Sequence, residues 1–240
     1  MSARALSAFA AILMLTVCAA GTANAADDPF EDINRSIFAL NRVIRTHALA
    51  PAAEAYLEAT TPEFRNGAAA ALANLNEPVT TVSALAAGRL DIARISATRF
   101  LINSTFGIAG VADRASEEGY PRANFSPGDA LCAWGVPSGP YLVLPLLGPS
   151  TVRDALGAAA AGAGLGVAAG AFAYGAASGL ERLQAYVGAH DAIRRWEETS
   201  LDPYALHRSL YLQRRARDCA TDAEAAAQPR TQDFLADQED

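Results

Sequence analysis

Ile33, Ile37, Leu40 and Ile44 recur at spacings of four, three and four, the period of one face of an amphipathic helix. Asp28-Pro29-Phe30-Glu31 ahead of them predicts the start: Asp28 as N-cap, Pro29 at the first helical position and Glu31 closing a capping box. Asn34 and Asn41 lie two turns apart on one side of this helix, with Phe38 between them. A second helix opens at Thr61-Pro62-Glu63 and is striped by Phe64, Ala68, Leu72 and Leu75. Asn76-Glu77-Pro78 predicts a break, after which a short helix runs from Pro78 towards Gly88. From Arg89, the residues Ile92, Ile95, Arg99, Ile102 and Phe106 form another face with Arg99 in its middle. The period then fails from Gly107 to Ser150, where Pro121, Pro127, Pro137, Pro140, Pro145 and Pro149 forbid a long helix. Tyr141 to Leu147 reads as a strand or an extended lid, which Pro145 demotes to an edge or loop element. Helix returns from Leu180 to about Glu198, and Asp202-Pro203 caps a last one, with Arg214, Arg215 and Arg217 near its C-terminal end. There is no internal repeat. The expected class is all-α, with one Pro/Gly-rich irregular segment.

Between Ala130 and Leu180 the only charged residues are Arg153 and Asp154. Such a block is either wholly buried or in contact with lipid. Ala155 to Leu180 is uncharged and holds seven glycines, of which Gly162, Gly166 and Gly170 are four apart on one helical face. Small residues at that spacing allow close helix packing in a membrane. Large apolar residues are too few for independent insertion, so the stretch predicts a close-packed helix or bent hairpin within a larger wall.

The N-terminus reads as an export signal. Arg4 precedes an uncharged run from Ala5 to Ala20, and Ala23-Asn24-Ala25 is a small-x-small cleavage site. Cutting after Ala25 is favoured. Leu15-Thr16-Val17-Cys18 is a rival lipobox that would make Cys18 a lipidated first residue, though Val17 is a poor fit. After cleavage, Cys132 and Cys219 are the two remaining thiols in an oxidising compartment, either bridged or both free.

Composition narrows the function. The 240 residues include 56 Ala, 19 Arg and no Lys, with a net charge of −7, which leaves no basic stripe for nucleic acid. Segment 218–240 holds seven acids and only Arg230, and predicts a disordered acidic tail behind a domain spanning 26–217. Its sharper reading is a docking strip for a basic partner. There is no GxSxG elbow, P-loop, HExxH or dinucleotide fingerprint, and His47, His190 and His207 lack a second ligand at metal spacing. No catalytic, cofactor or metal residues are assigned. Arg99 has two readings: an internal ion pair with Asp113 or Glu77, or an anchor for a phosphate headgroup. Asn34 and Asn41 either cap local structure or line a polar track.

The chain resembles the VacJ/MlaA family of outer-membrane phospholipid-binding proteins of Gram-negative bacteria. The resemblance rests on Asp28-Pro29-Phe30-Glu31 with Asn34-Arg35, Phe38 and Asn41; Arg65-Asn66-Gly67; Asn74 to Pro78; and Arg99-Phe100 with Asn103. Trp134-Gly135-Val136, Gly139 to Pro145, Gly148 to Asp154, Asp202-Pro203-Tyr204 and Tyr211 to Arg215 continue it in order. Departures are Val17 before Cys18, Arg45 at the end of the first helix, and an Ala/Gly-rich rather than aromatic charge-poor block. The resemblance implies a helical, ring-like, membrane-embedded domain on the periplasmic side of the outer membrane. Its channel would take mislocalised phospholipids from the outer leaflet and pass them to a periplasmic carrier, beside an outer-membrane porin trimer. Asn34, Phe38, Asn41, Arg99, Asn103, Tyr141 and Arg153 are the lipid-channel candidates. Two other classes stay open: a non-transporting envelope protein anchored by the Ala/Gly block, and a lipid-modifying enzyme.

Overall fold

The computed structural model describes residues 28–227. The export signal, Cys18 and the segment beyond 227 lie outside the described residues. The elements are α1 (Glu31–Ile44), a π-helical turn (Arg45–Leu49), α2 (Ala50–Ala59), α3 (Pro62–Ala86), α4 (Leu90–Thr105), α5 (Arg114–Glu117) and α6 (Pro127–Ala133). A hairpin of β1 (Tyr141–Leu144) and β2 (Gly148–Thr151) follows, then α7 (Val152–Ala169), α8 (Ala171–Thr199) and α9 (Pro203–Ala227).

Packing closes these elements into a circuit. α1 leads through the π turn to α2, which packs on α8; α8 packs on α3, α3 on α6, α6 on α9, α9 on β2, and β1 back on α1. The fold is therefore helical and ring-like, with α4 laid along α3 and α7 joining α6 to α8. Among the described residues no helix is long and apolar enough to cross a membrane.

Several boundaries differ from the sequence reading. α1 begins at Glu31 without a side-chain cap, and Asp28 turns inward instead, accepting from Phe30 N–H at 3.1 Å. α3 runs unbroken through Pro78. Proline removes one ladder bond at most, and the flanking Asn74 and Glu77 are buried and held in place from α4. Tertiary fixation outweighs the breaker there. The strand Gly148–Thr151 was not read, because it contains Pro149. That proline faces Val143, whose N–H is directed to Asn34 rather than across the hairpin, so the missing donor leaves no gap. α9 continues to Ala227, through the first ten residues of the expected tail.

The core is unusually polar. Among the described residues there are two small apolar clusters, one around Ala84, Ala93, Phe125 and Ala130, the other around Tyr141, Val143 and Tyr204. The largest fully buried side chains are Arg99, Asn34, Asn103, Thr151 and Ser96. A staple ties the circuit: Cys132 of α6 is bridged to Cys219 of α9, with Cα atoms 5.9 Å apart.

Candidate functional site

α1 holds the hairpin by two amides. Asn34 donates to the Tyr141 carbonyl at 3.1 Å and accepts from the Val143 N–H at 2.8 Å. Asn41 donates to the Leu144 carbonyl at 2.9 Å and accepts from the Leu146 N–H at 2.8 Å. Each side chain thus mimics a strand residue and satisfies backbone groups that burial would otherwise leave unpaired. Phe38, between them, packs edge-on against Tyr204 and His207 at 5.8 and 5.3 Å. Tyr141 lies under Tyr204 and Tyr211, its hydroxyl buried without a hydrogen-bond partner. Burial, aided by the charge of Asp28, pushes that hydroxyl up to about 12.

Arg99 is wholly buried on α4. Its five N–H donors go to Glu77 at 2.6 Å, Ser116 at 3.0 Å, the Tyr120 carbonyl at 2.6 Å and both oxygens of Asp113 at 3.0 Å. Asn103 completes the knot by donating to Asp113 at 3.0 Å and accepting from the Ala115 N–H at 2.9 Å. Burial alone raises the Asp113 carboxyl, but the bonds from Arg99, Ser116 and Asn103 outweigh it and hold the group at about 2. Arg153 is likewise buried, donating to the Val136 carbonyl at 3.3 Å and lying 3.7 Å from the Cys219 sulfur.

The seven channel candidates fall into three groups in the structure. Asn34, Phe38, Asn41 and Tyr141 mount the hairpin, Arg99 and Asn103 tie α4 to α3 and α5, and Arg153 fastens α7. Arg99 has no donor left for a headgroup, so the internal ion pair is the correct reading of that residue. The glycine stripe is corrected in part. Gly170 has φ +85° and separates α7 from α8, a left-handed conformation that favours glycine, and a Cβ there would meet nothing within 4 Å. Gly162 is half-buried, and the packing around Gly166 lies outside the described residues. Among the described residues a close helix crossing stands at Gly157. A Cβ on Gly157 of α7 would stand 2.8 Å from the Gly128 backbone nitrogen of α6, and one on Gly128 would stand 2.5 Å from an Asp154 oxygen.

That crossing leads to charges the sequence did not join. Arg215 of α9 donates to Asp129 of α6 at 2.6 Å and to both oxygens of Asp154 of α7 at 3.0 and 2.9 Å. Tyr211 donates to Asp154 at 2.7 Å. Burial opposes ionisation of Asp154, but Arg215 and Tyr211 outweigh it and hold the carboxyl below its usual range. Above this knot opens a cleft of about 630 Å³, walled by α3, the 124–126 loop, α6, α8 and α9. Asn76, Val79, Thr80, Asn124, Glu181, Arg214 and Asp218 face it. Asn76 donates to Glu181 at 3.0 Å, and Arg214 stands 3.6 Å from Asp218. The residues that meet here are spread from position 76 to position 218 over separate elements, so helical periodicity carried no signal. The one hint was Glu181, the first charge after the uncharged run.

The outer surface is greasy. Ile33, Leu40 and Val43 on α1, Val82 and Leu85 on α3, and Leu101 on α4 are exposed. Phe106 and Ile108 are more than three-quarters exposed, and Ile108 and Ala109 adopt positive φ in the turn after α4. Among the described residues no His/Cys/Asp/Glu group could hold a metal ion.

Against known proteins, residues 26–218 match the family model described as MlaA lipoprotein. An intermembrane phospholipid transport system lipoprotein MlaA from Haemophilus influenzae is 32% identical over 155 residues, covering 62% of each chain. Its Escherichia coli counterpart is 31% identical over 131 residues, 53% of this chain and 52% of that one. An uncharacterized protein of Rickettsia felis is 37% identical over 127 residues, 53% and 51% of the two chains. The chain thus matches over about half the length of these relatives. A solved chain from work on the "structural basis for maintenance of bacterial outer membrane lipid asymmetry" superposes with a TM-score of 0.68 at 28% identity, covering 80% of this chain and 99% of that one.

Proposed function

Because the chain belongs to the MlaA lipoprotein family, we propose that it handles phospholipid in the bacterial outer membrane, drawing mislocalised lipid from the outer leaflet and releasing it to a periplasmic carrier. The observation that carries this is a polar cleft of about 630 Å³ between four helices of the circuit, in a molecule that also exposes large apolar side chains. A lipid headgroup pays a heavy desolvation cost in hydrocarbon unless polar groups receive it. An apolar exterior, conversely, is stable only against acyl chains or a partner. The molecule has both surfaces, and the relatives named for phospholipid transport support reading them together. A porin trimer beside the ring and the acidic segment 218–240 as a docking strip for the carrier belong to the same reading.

The test is mass spectrometry of lipid retained by protein extracted in mild detergent. The reading expects co-purified diacyl phospholipid. Chemical turnover of an added labelled phospholipid would overturn it in favour of a lipid-modifying enzyme, and absence of both lipid and turnover in favour of an envelope structural protein.

A further inference from the structure

We propose that the Cys132–Cys219 bridge is made on the folded chain by thiol–disulfide exchange entering through Cys219, with a disulfide-bearing thiol oxidoreductase as the oxidant and Arg153 activating the attacking sulfur. The exchange does not depend on what the cleft receives. The two cysteines are 87 positions apart in sequence, a loop that an unfolded chain closes only at an entropic cost. The fold brings them together without the bridge. Arg215 of α9 bonds Asp129 of α6 at 2.6 Å. Cys132 follows Asp129 by three positions and Cys219 follows Arg215 by four, so the ion pair and the sulfurs occupy successive turns of the same two helices. One turn further back, Tyr211 of α9 donates to Asp154 of α7, which also accepts from Arg215. These bonds fix the register of α9 and hold the sulfurs opposite each other.

The two sulfurs are not equivalent. Cys132 is 6% exposed, whereas Cys219 is partly exposed. Arg153 is buried, with Nη1 3.7 Å from the Cys219 sulfur and bonds to the Val136 carbonyl and Asp154 that are both 3.3 Å long. The carboxylates of Asp129 and Asp154, and that of Asp218 on α9 itself, are each engaged by Arg215. A guanidinium beside a thiol favours the thiolate, which is the nucleophile in exchange. Cys219 is therefore the more accessible and the better activated thiol. Its thiolate attacks one sulfur of the oxidant's disulfide, forming a mixed disulfide and releasing one thiolate of the oxidant. The Cys132 thiol then loses its proton and attacks the Cys219 sulfur, and the oxidant's second thiolate departs. The chain gives up two electrons and two protons, and the oxidant leaves as a dithiol. The exported compartment expected from the N-terminal sequence is where such oxidants act.

The test exposes purified protein in detergent, reduced and freed of reductant, to oxidised glutathione, with acid quenching and peptide mass spectrometry. Cys132→Ser should accumulate a stable glutathione adduct at Cys219. Its rate should be roughly tenfold or more above that of adduct formation at Cys132 in Cys219→Ser. In denaturant the two rates should converge. Equal rates without denaturant, or a faster Cys132, would overturn entry through Cys219 on a folded chain. The role of Arg153 is read in the Cys132→Ser protein from the dependence of the Cys219 rate on pH. The midpoint should lie below that of the same thiol in denaturant, and Arg153→Gln should move it upward and slow the reaction several-fold. Cys132 should stay slow in Arg153→Gln/Cys219→Ser, which checks that the fold survives the change. A midpoint no lower than in denaturant, or one unmoved by Arg153→Gln, would overturn the activation by Arg153.

Discussion

Arg99 shows how a single residue can be read correctly in kind and still mislead about function. Its place in the middle of an apolar helix face marked it as special, and Glu77 and Asp113 were within reach in sequence as partners. What the pattern lacked was the count of donors: the structure commits all five, so nothing remains for a ligand. Removing a partner from a buried ion pair leaves an uncompensated charge and costs about 3–5 kcal/mol. Arg99→Leu should therefore lower the unfolding midpoint in denaturant titration by that equivalent. Arg99→Lys should not restore it, because an ammonium cannot span the same acceptors. Asp113 gives the pH counterpart. Its carboxyl is held at about 2 against an ordinary 3.8, so the folded state favours the ionised form. That contribution is complete above the ordinary value and is lost as pH falls through the lower one. Thermal melts should show the wild type losing stability between those two values, while Asp113→Asn should start less stable at neutral pH and lose less across the same window.

Elements were more legible than their contacts. Amphipathic spacing located α1 and α4, the Asp202-Pro203 cap located α9, and the uncharged run became two helices, α7 and the start of α8, separated at Gly170. The misses have physical causes. Pro78 was read as a breaker, but a long helix anchored by Glu77 to Arg99 absorbs one missing bond. β2 was hidden by its own proline. The register of Asn34 and Asn41 on α1 was visible, but not that their amides would read the hairpin backbone, since the acceptors lie about a hundred positions away. Glycine spacing pointed to Gly162, Gly166 and Gly170, whereas the tight crossing in the structure pairs Gly157 with Gly128. A methyl group at Gly157 would press on backbone rather than on a flexible side chain. Gly157→Ala should cost about 1–3 kcal/mol by overpacking, whereas Gly164→Ala on the same helix, where a Cβ meets nothing within 4 Å, should be neutral or slightly stabilising in a melt.

At the scale of the molecule, the circuit of helices carries two kinds of surface. Its interior carries ion-paired knots and a polar cleft; its exterior carries Phe106, Ile108, Leu101 and the outer face of α1. The helical class and the resemblance were legible from ordered motifs scattered over the chain. The cleft was not, because its walls come from four helices and a loop that only the closed circuit brings together. The most direct measurement places a photo-crosslinking residue at Thr80, inside the cleft, and another at Arg194, exposed among Asp191 and Glu198 on α8 and outside the cleft lining, followed by irradiation of intact cells and mass spectrometry of the purified protein. Phospholipid adducts at position 80 and none above background at position 194 are the predicted result. Adducts absent from position 80, or equal at both positions, would contradict a lipid-receiving cleft.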